Sequence, residues 1–287
     1  VAPGIPGAVA GVDDERFPEW RPFVDAVQHR GPDAGTWCEA WTVRDIVIHQ
    51  AGNAEELARV LGAHLEGEPV GTRGFEEREA PLRALGDADL WEALTDRMAT
   101  LNRVAVAADE VSADTDVAWT GRTMKVPWFA EHMREELVLH GWDITGDPDL
   151  PTALLAALAE PWMTTHSVLA VGRPLLAKGA KQLAPGEQID ARLRVAGTDD
   201  VVVSADADGT TIALEDPDGP ATLETDAAAR VLLLWGRRPA NPARICSRVG
   251  PEALGRVRRL LSGYCSAATE TCRLSSFDRP ARRSRWC

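Results

Sequence analysis

Apolar positions recur every three or four residues over the first part of the chain, which is the period of an amphipathic helix. One such pattern follows Thr42, and Asp45 stands three residues after it, at the spacing of a capping box. Three further helical patterns cover residues 87–108, about 127–144 and 151–169. Four amphipathic helices joined by loops predict a helix bundle.

From about residue 188 the period changes to two, because apolar and polar side chains alternate there. Short apolar runs follow, separated by Asp-Gly pairs that favour tight turns, so the pattern predicts antiparallel hairpins. Helical patterns return at 226–235 and 251–262. We therefore expect an α+β protein. Its predicted parts are a four-helix bundle over 13–170, a small α+β domain with an antiparallel sheet over 185–264, and a flexible basic tail over 265–287.

Composition and charge narrow the class of protein. The chain has 287 residues, of which 26% are charged, and its net charge of -13 argues against a nucleic-acid-binding surface. No run approaches the roughly 18 to 20 apolar residues that a membrane helix needs. The five cysteines show no CxxC pair and indicate free thiols rather than a disulfide framework. We expect a cytoplasmic protein without a secretory signal, and the sequence does not indicate its oligomeric state.

A candidate metal site lies on the third predicted helix. Glu136 and His140 are four residues apart, so they share one face of the helix and can both reach one ion. His132 lies on the same stripe but is about 12 Å from His140 along the axis, too far for one ion. Asp143, one turn after His140, is a candidate for orienting it, with a solvated carboxylate as the alternative. A third ligand must therefore come from another helix.

His49 is the best candidate for this third ligand, because it stands among apolar residues that must face a core. His64 would lie about 22 Å further along the same helix, and His29 remains an alternative. Two histidines and one carboxylate would form a catalytic zinc site with an open fourth position. A Glu-x-x-x-His pair and a buried histidine also occur in helix bundles without a metal, so the spacing alone leaves both interpretations open.

Three motifs resemble the mycothiol-dependent maleylpyruvate isomerase family. They are T-V-R-D-I-V-I-H at 42–49, T-G-R-T-M-K-V-P-W-F at 120–129 and E-L-V-L-H-G-W-D-I at 136–144. The segment L-L-L-W-G-R-R-P at 232–239 is similar to the family's small C-terminal domain, and the likeness covers roughly residues 15–264. The resemblance implies a DinB-like metal-binding bundle followed by a sterol-carrier-like α+β domain.

The resemblance also implies a chemistry. His49, Glu136 and His140 would bind a divalent metal, with zinc expected, although His and Glu ligands do not separate zinc from nickel or iron. Mycothiol would supply a thiol, whose thiolate adds to the cis double bond of maleylpyruvate. Rotation about the new single bond and loss of the thiol then give fumarylpyruvate. In related transferases the thiolate would remain attached to a small electrophile.

Three arginines are candidate catalytic residues, and two tryptophans are candidates for binding the cofactor. Arg122 would clamp a carboxylate of the substrate or thiol, and Arg237 or Arg238 would reach an acidic substrate. Trp128 and Trp142 would form the wall of a cofactor pocket. The alternative for Arg122 is a surface ion pair, and for Arg237 or Arg238 it is a charge at a helix C-terminus. The tryptophans would otherwise pack in the core.

Two other functions fit the same pattern. One is a non-catalytic binding or regulatory protein that keeps the bundle and holds an apolar ligand in its C-terminal half. The other is a metal-dependent hydrolase in which water takes the place of the thiol. A requirement for thiol during turnover separates both from the isomerase or transferase.

Overall fold

Thr42 caps the longest described helix in the computed structural model, which describes residues 11–38 and 40–262. The Thr42 hydroxyl accepts a hydrogen bond from the backbone N–H of Asp45, and the Asp45 carboxylate accepts one from the N–H of Thr42. The predicted capping box is therefore confirmed. The tail expected over 265–287 lies outside the described residues.

The chain divides into two units, and the first extends to Thr145. Its described elements are α1 (Trp20–Arg30), α2 (Val43–Leu65), α3 (Phe75–Arg83), α4 (Asp87–Ala108), β1 (Asp116–Trp119), β2 (Arg122–Lys125) and α5 (Trp128–Asp149). Buried side chains of α1, α2, α4 and α5 form one hydrophobic core. The pattern analysis did not predict the antiparallel β1–β2 hairpin.

The fourth helix of the bundle differs from the expected one. Gly146 interrupts α5 with a φ of 68°, and the second unit begins at this residue, whereas the expected second domain begins at residue 185. The helical pattern at 151–169 forms α6 (Thr152–Ala159) and α7 (Pro161–His166), which pack against α9 (Ala227–Leu234). The bundle takes α1 as its fourth helix, because Trp20 and Phe23 pack into the core of the first unit.

The second unit is α+β, as expected. After α6 and α7 it contains a π-helical turn (Ser167–Val171), α8 (Gly172–Ala180), β3 (Ile189–Arg194), β4 (Asp200–Asp206), β5 (Gly209–Glu215), β6 (Leu223–Thr225), α9, a 3-10 turn (Pro242–Arg244), β7 (Ile245–Ser247) and α10 (Pro251–Leu261). Helices α8 and α10 come very close together at Gly179, where a Cβ would lie 1.6 Å from the carbonyl oxygen of Leu260.

The sheet of the second unit has the strand order β5-β4-β3-β6-β7. Strands β3, β4 and β5 form the predicted antiparallel hairpins. Strand β6 instead pairs parallel with β3, with Leu193 opposite Leu223, so the sheet is not a simple meander. Among the described helices, none is long and apolar enough to cross a membrane.

Candidate metal centre

Helices α2 and α5 bring His49, Glu136 and His140 together in the core of the first unit. The Nε2 atom of His49 lies 3.3 Å from Oε2 of Glu136, and Nε2 of His140 lies 3.2 Å from the same oxygen. All three side chains are buried, and their candidate ligand atoms lie within 4.8 Å of one another. The spacing on α5 and the capped start of α2 therefore deliver the three predicted residues to one point.

The distances between these atoms suit a small divalent cation. Nitrogen and oxygen ligands bind zinc at about 2.0 to 2.2 Å, so two ligands at a tetrahedral angle are about 3.4 Å apart. The two distances to Glu136 are close to this value without any rearrangement. The donor set therefore fits a metal such as zinc.

The Nδ1 atom of each histidine lies close to a carboxylate. Nδ1 of His49 forms a 3.0 Å hydrogen bond with Oε1 of Glu79, and Nδ1 of His140 lies 2.9 Å from Oδ2 of Asp143. The hydrogen bond with Glu79 fixes the His49 ring and favours a proton on its Nδ1 atom, which leaves the Nε2 lone pair of His49 for a metal. Arg83 in turn donates to the second oxygen of Glu79 at 2.7 Å.

The electrostatics of the cluster also favour a cation. Burial alone would lower the pKa of His49, but hydrogen bonds to Glu136 and Glu79 outweigh it and raise the pKa. Burial alone would raise the pKa of Glu136, yet the imidazoles of His140 and His49 hold it well below its ordinary range. Glu136 and Glu79 thus favour positive charge at His49, and a divalent ion can take the place of that proton.

Aromatic rings cover the histidines. The Trp41 ring stacks on His140 with 5.5 Å between centroids, and it lies 5.0 Å from the ring of His49. The Phe75 ring lies 5.6 Å from the His49 ring between centroids, and the Phe75 side chain is half exposed. The half-exposed Phe75 side chain therefore lies between the buried His49 ring and the surface.

The remaining histidines of the first unit stand apart from this set. Nε2 of His132 is 3.9 Å from Oε1 of Glu136, and burial lowers the pKa of His132 to about 4, so the ring is neutral at pH 7. His29 is exposed at the end of α1, and His64 lies near the end of α2. Neither of the last two joins the cluster.

The other sequence candidates occupy different places. Arg122 begins β2 and is half buried. Trp128 and Trp142 are both on α5, where 14 residues of helix, about 21 Å, separate them. Trp142 packs against Trp37 with 5.7 Å between ring centroids.

Arg237 and Arg238 follow α9 in the second unit. Arg237 is buried and donates to the carbonyl oxygen of Trp235 at 3.4 Å, whereas Arg238 is exposed. Their assignment as catalytic residues stays a prediction, as do the roles of Arg122, Trp128 and Trp142.

Sequence reasoning missed Glu79, Trp41 and Phe75. Glu79 lies on the short α3, where three acidic residues occur within four positions, and nothing in the pattern distinguishes it from its exposed neighbours. Gly52 carries a weak signal, because it stands one turn after His49 on the same helix. A Cβ at Gly52 would lie only 3.4 Å from Cγ of Glu79, so this glycine lets α3 approach α2 closely.

Comparison with known proteins gives one family and two similar structures. Residues 15–145 match the family described as mycothiol maleylpyruvate isomerase N-terminal domain. The chain is similar in fold to the crystal structure of the mycothiol-dependent maleylpyruvate isomerase, with a TM-score of 0.52 and 18% identity, over 83% of this chain and 93% of that one. A crystal structure of a histidine-to-alanine mutant of the mycothiol-dependent maleylpyruvate isomerase gives a TM-score of 0.51 with the same identity and coverage. No curated protein matches the sequence significantly.

Proposed function

We propose that the chain is a metal-dependent enzyme that uses mycothiol, because residues 15–145 match the family described as mycothiol maleylpyruvate isomerase N-terminal domain. Its substrate would be a small electrophile, which it isomerises in the manner of maleylpyruvate or conjugates to the thiol. The family match supports the use of mycothiol as the thiol. The geometry of His49, Glu136 and His140 supports the metal and is the observation that carries the proposal.

The three buried side chains would hold the ion, with zinc as the expected metal. A divalent cation bound there would stabilise the thiolate form of a thiol at neutral pH. The chain's own contribution is to orient the ligands. Glu79 holds the Nδ1 side of the His49 imidazole and keeps its Nε2 atom directed at Glu136, and the Asp143 carboxylate lies 2.9 Å from Nδ1 of His140.

The surroundings of the site favour chemistry on a thiol rather than on bulk water. Trp41 covers both imidazole rings, and Phe75 lies over His49 at the surface. An apolar cover of this kind limits the access of water and strengthens electrostatic interactions beneath it. A soft, weakly hydrated sulfur atom enters such a site at a smaller cost of desolvation than hydroxide does.

The test is to measure metal content and turnover on wild type, His140→Ala and His29→Ala. We expect wild type and His29→Ala to contain about one equivalent of zinc and to convert an electrophile only when mycothiol is present. His140→Ala should lose both the metal and the turnover, because it removes a ligand, whereas His29 is exposed and outside the cluster.

Each other outcome identifies a different function. Turnover without added thiol would replace the proposal with a metal-dependent hydrolase. Metal without turnover on any electrophile would indicate a binding or regulatory protein, and equal metal content in all three proteins would remove His140 from the site.

A further inference from the structure

A second feature of the first unit is an open cavity between the β1–β2 hairpin and the loop that follows α2. Its volume is about 380 Å³, and its wall includes Thr72, Trp119, Thr120, Arg122 and Thr123. This volume lies in the range of small-molecule sites. By comparison, a void in the second unit beside Ser167 measures about 10 Å³, which is room for one water molecule.

Arg122 is the charged residue of this wall, and the described residues leave its charge without an ion pair. No carboxylate oxygen within residues 11–38 and 40–262 lies within 4 Å of its guanidinium, and its buried Nε atom has no hydrogen-bond acceptor. Arg59, Arg73 and Arg134, by contrast, each lie within 2.7 Å of a glutamate oxygen. The Glu135 carboxylate attracts this guanidinium only from beyond ion-pair distance. A half-buried guanidinium without a close carboxylate is a binding group for an anion.

Both walls of the cavity are held in place. The hairpin turns at Thr120 and Gly121, whose φ angles are 45° and 77°, and a positive φ is unfavourable for a β-branched residue. The Thr120 N–H donates to Thr72 Oγ1 at 3.2 Å, which ties the turn to the facing loop. Next to Thr72, Arg73 is bound through its backbone N–H and its Nε to the buried Glu56. The cavity is therefore preorganised rather than a gap between mobile loops.

The hairpin register connects this cavity to the metal-binding helix. Trp119 and Arg122 are directly opposite each other, so both side chains leave the hairpin on the same face. The Trp119 ring meets the ring of His132 at 6.1 Å, and His132 lies one helical turn before Glu136 on α5. The Arg122 side chain thus leaves the hairpin on the face that packs toward the ligand-bearing helix.

We propose that Arg122 and the threonines around it bind a carboxylate group of the small-molecule substrate in this cavity. The inference deepens the proposed function and rests on it for the reacting part of that molecule. A carboxylate is favoured over a phosphate because the wall offers one guanidinium and neutral hydroxyls, which suffice for one planar carboxylate group of a ligand. The planar fork of the guanidinium also fits the two oxygens of a carboxylate.

The experiment measures binding of maleate by calorimetry to wild type, Arg122→Gln, Arg122→Lys and Arg103→Gln. We expect Arg122→Gln to weaken maleate binding by about 10-fold or more, since a charged hydrogen bond is lost. Arg122→Lys should recover part of the affinity because it keeps the charge and loses the fork. Arg103→Gln makes the same charge change at an exposed position on α4, where the guanidinium contacts Thr100, and should bind maleate as wild type does.

Two further ligands and one stability measurement make the result specific. Dimethyl maleate has the same carbon skeleton without charge, and its binding should not depend on Arg122. Tighter binding of inorganic phosphate than of maleate would overturn the assignment of a carboxylate. The thermal midpoint of Arg122→Gln should not fall, because the change removes no ion pair. A lower midpoint, together with weaker binding of both maleate and its ester, would show that Arg122 has a structural role instead.

The same titration on His140→Ala separates this inference from the proposed function. Maleate binding that survives in His140→Ala and disappears in Arg122→Gln supports the carboxylate site even if no thiol-dependent turnover is found. Thiol-dependent turnover in a protein whose Arg122→Gln variant binds maleate normally would support the function and overturn the carboxylate site.

Discussion

Two glutamates in the first unit are both buried, but the side chains that neutralise their charge are of different kinds. Glu56 on α2 is fully buried, and Glu136 on α5 is 3% exposed. In both cases burial alone would raise the pKa, and neighbouring donors lower it instead. The donors to Glu56 are the guanidiniums of Arg59 and Arg73, whereas those next to Glu136 are imidazoles.

This difference in partner decides what each carboxylate can do. A guanidinium keeps its proton and has no lone pair for a metal, so the Glu56 cluster is complete as it stands. A neutral imidazole offers a lone pair, so the Glu136 cluster can exchange protons for a cation. We infer that Glu56 anchors the loop at 71–73, while Glu136 provides a binding site. A buried, perturbed carboxylate is therefore not by itself a sign of function.

The largest expected effect comes from Glu136→Gln. Loss of an outer partner of a metal ligand typically costs 10- to 100-fold in affinity, so loss of a ligand itself should weaken zinc binding by more than about 100-fold. Competition with a chromogenic chelator measures this affinity. Glu56→Gln is the matched control and should retain wild-type zinc affinity; equal losses in the two variants would contradict the distinction between the clusters.

Glu56→Gln should instead affect stability. The change removes the buried negative charge that faces Arg59 and Arg73, while Arg73 keeps its ion pair with Glu55. We expect the free energy of unfolding to fall by about 2 to 3 kcal/mol. Breaking a buried ion pair typically costs about 3 to 5 kcal/mol. We expect a value at or below the lower end of that range because Arg59 and Arg73 are partly exposed. Urea unfolding of the metal-free proteins measures the change, and a loss below about 0.5 kcal/mol would contradict the role of anchor.

The pH dependence sharpens the same comparison. The pKa of Glu56 in the folded protein lies below its ordinary value of 4.5, so its contribution to stability is complete above that pH and is lost as the pH falls through the folded value. The gap in unfolding free energy between wild type and Glu56→Gln should therefore be constant from pH 7 to about pH 5 and shrink in more acidic solution. A gap that grows on acidification would have the wrong sign.

The smallest expected effect is that of Glu79→Gln. An amide in place of the carboxylate keeps the shape but removes the charge behind His49, so zinc affinity should fall by about 10-fold. Glu76→Gln is a matched control on the same helix, because Glu76 also contacts Arg83 and is exposed. Zinc affinities that are lowered equally in both variants would show that Arg83, rather than the carboxylate at Nδ1, is responsible.

The sequence predicted the parts of the metal site that depend on local geometry. Glu136 and His140 are one helical turn apart, so their proximity follows from the helix alone. The capping box at Thr42 set the start of α2 and so the face on which His49 lies. The α+β class also followed from the change of period near residue 188.

Other features depended on contacts between distant segments. Glu79 is 30 residues from His49, and a short helix after a loop gives no period from which its position can be read. The boundary at Gly146 was missed because helical patterns occur on both sides of it, and the packing of α6 and α7 on α9 decides to which unit they belong. The β1–β2 hairpin was missed because each strand has only four residues.

By itself, the sequence determined the secondary structure that carries His49, Glu136 and His140, because hydrogen bonding within a helix fixes side-chain directions over one or two turns. Only the tertiary structure decided that Glu56 meets arginines, that Glu79 supports His49 and that Arg122 faces a cavity. These contacts join segments that are separated by loops. Local conformational preferences do not fix the distance between such segments, so the packing of the shared core fixes it.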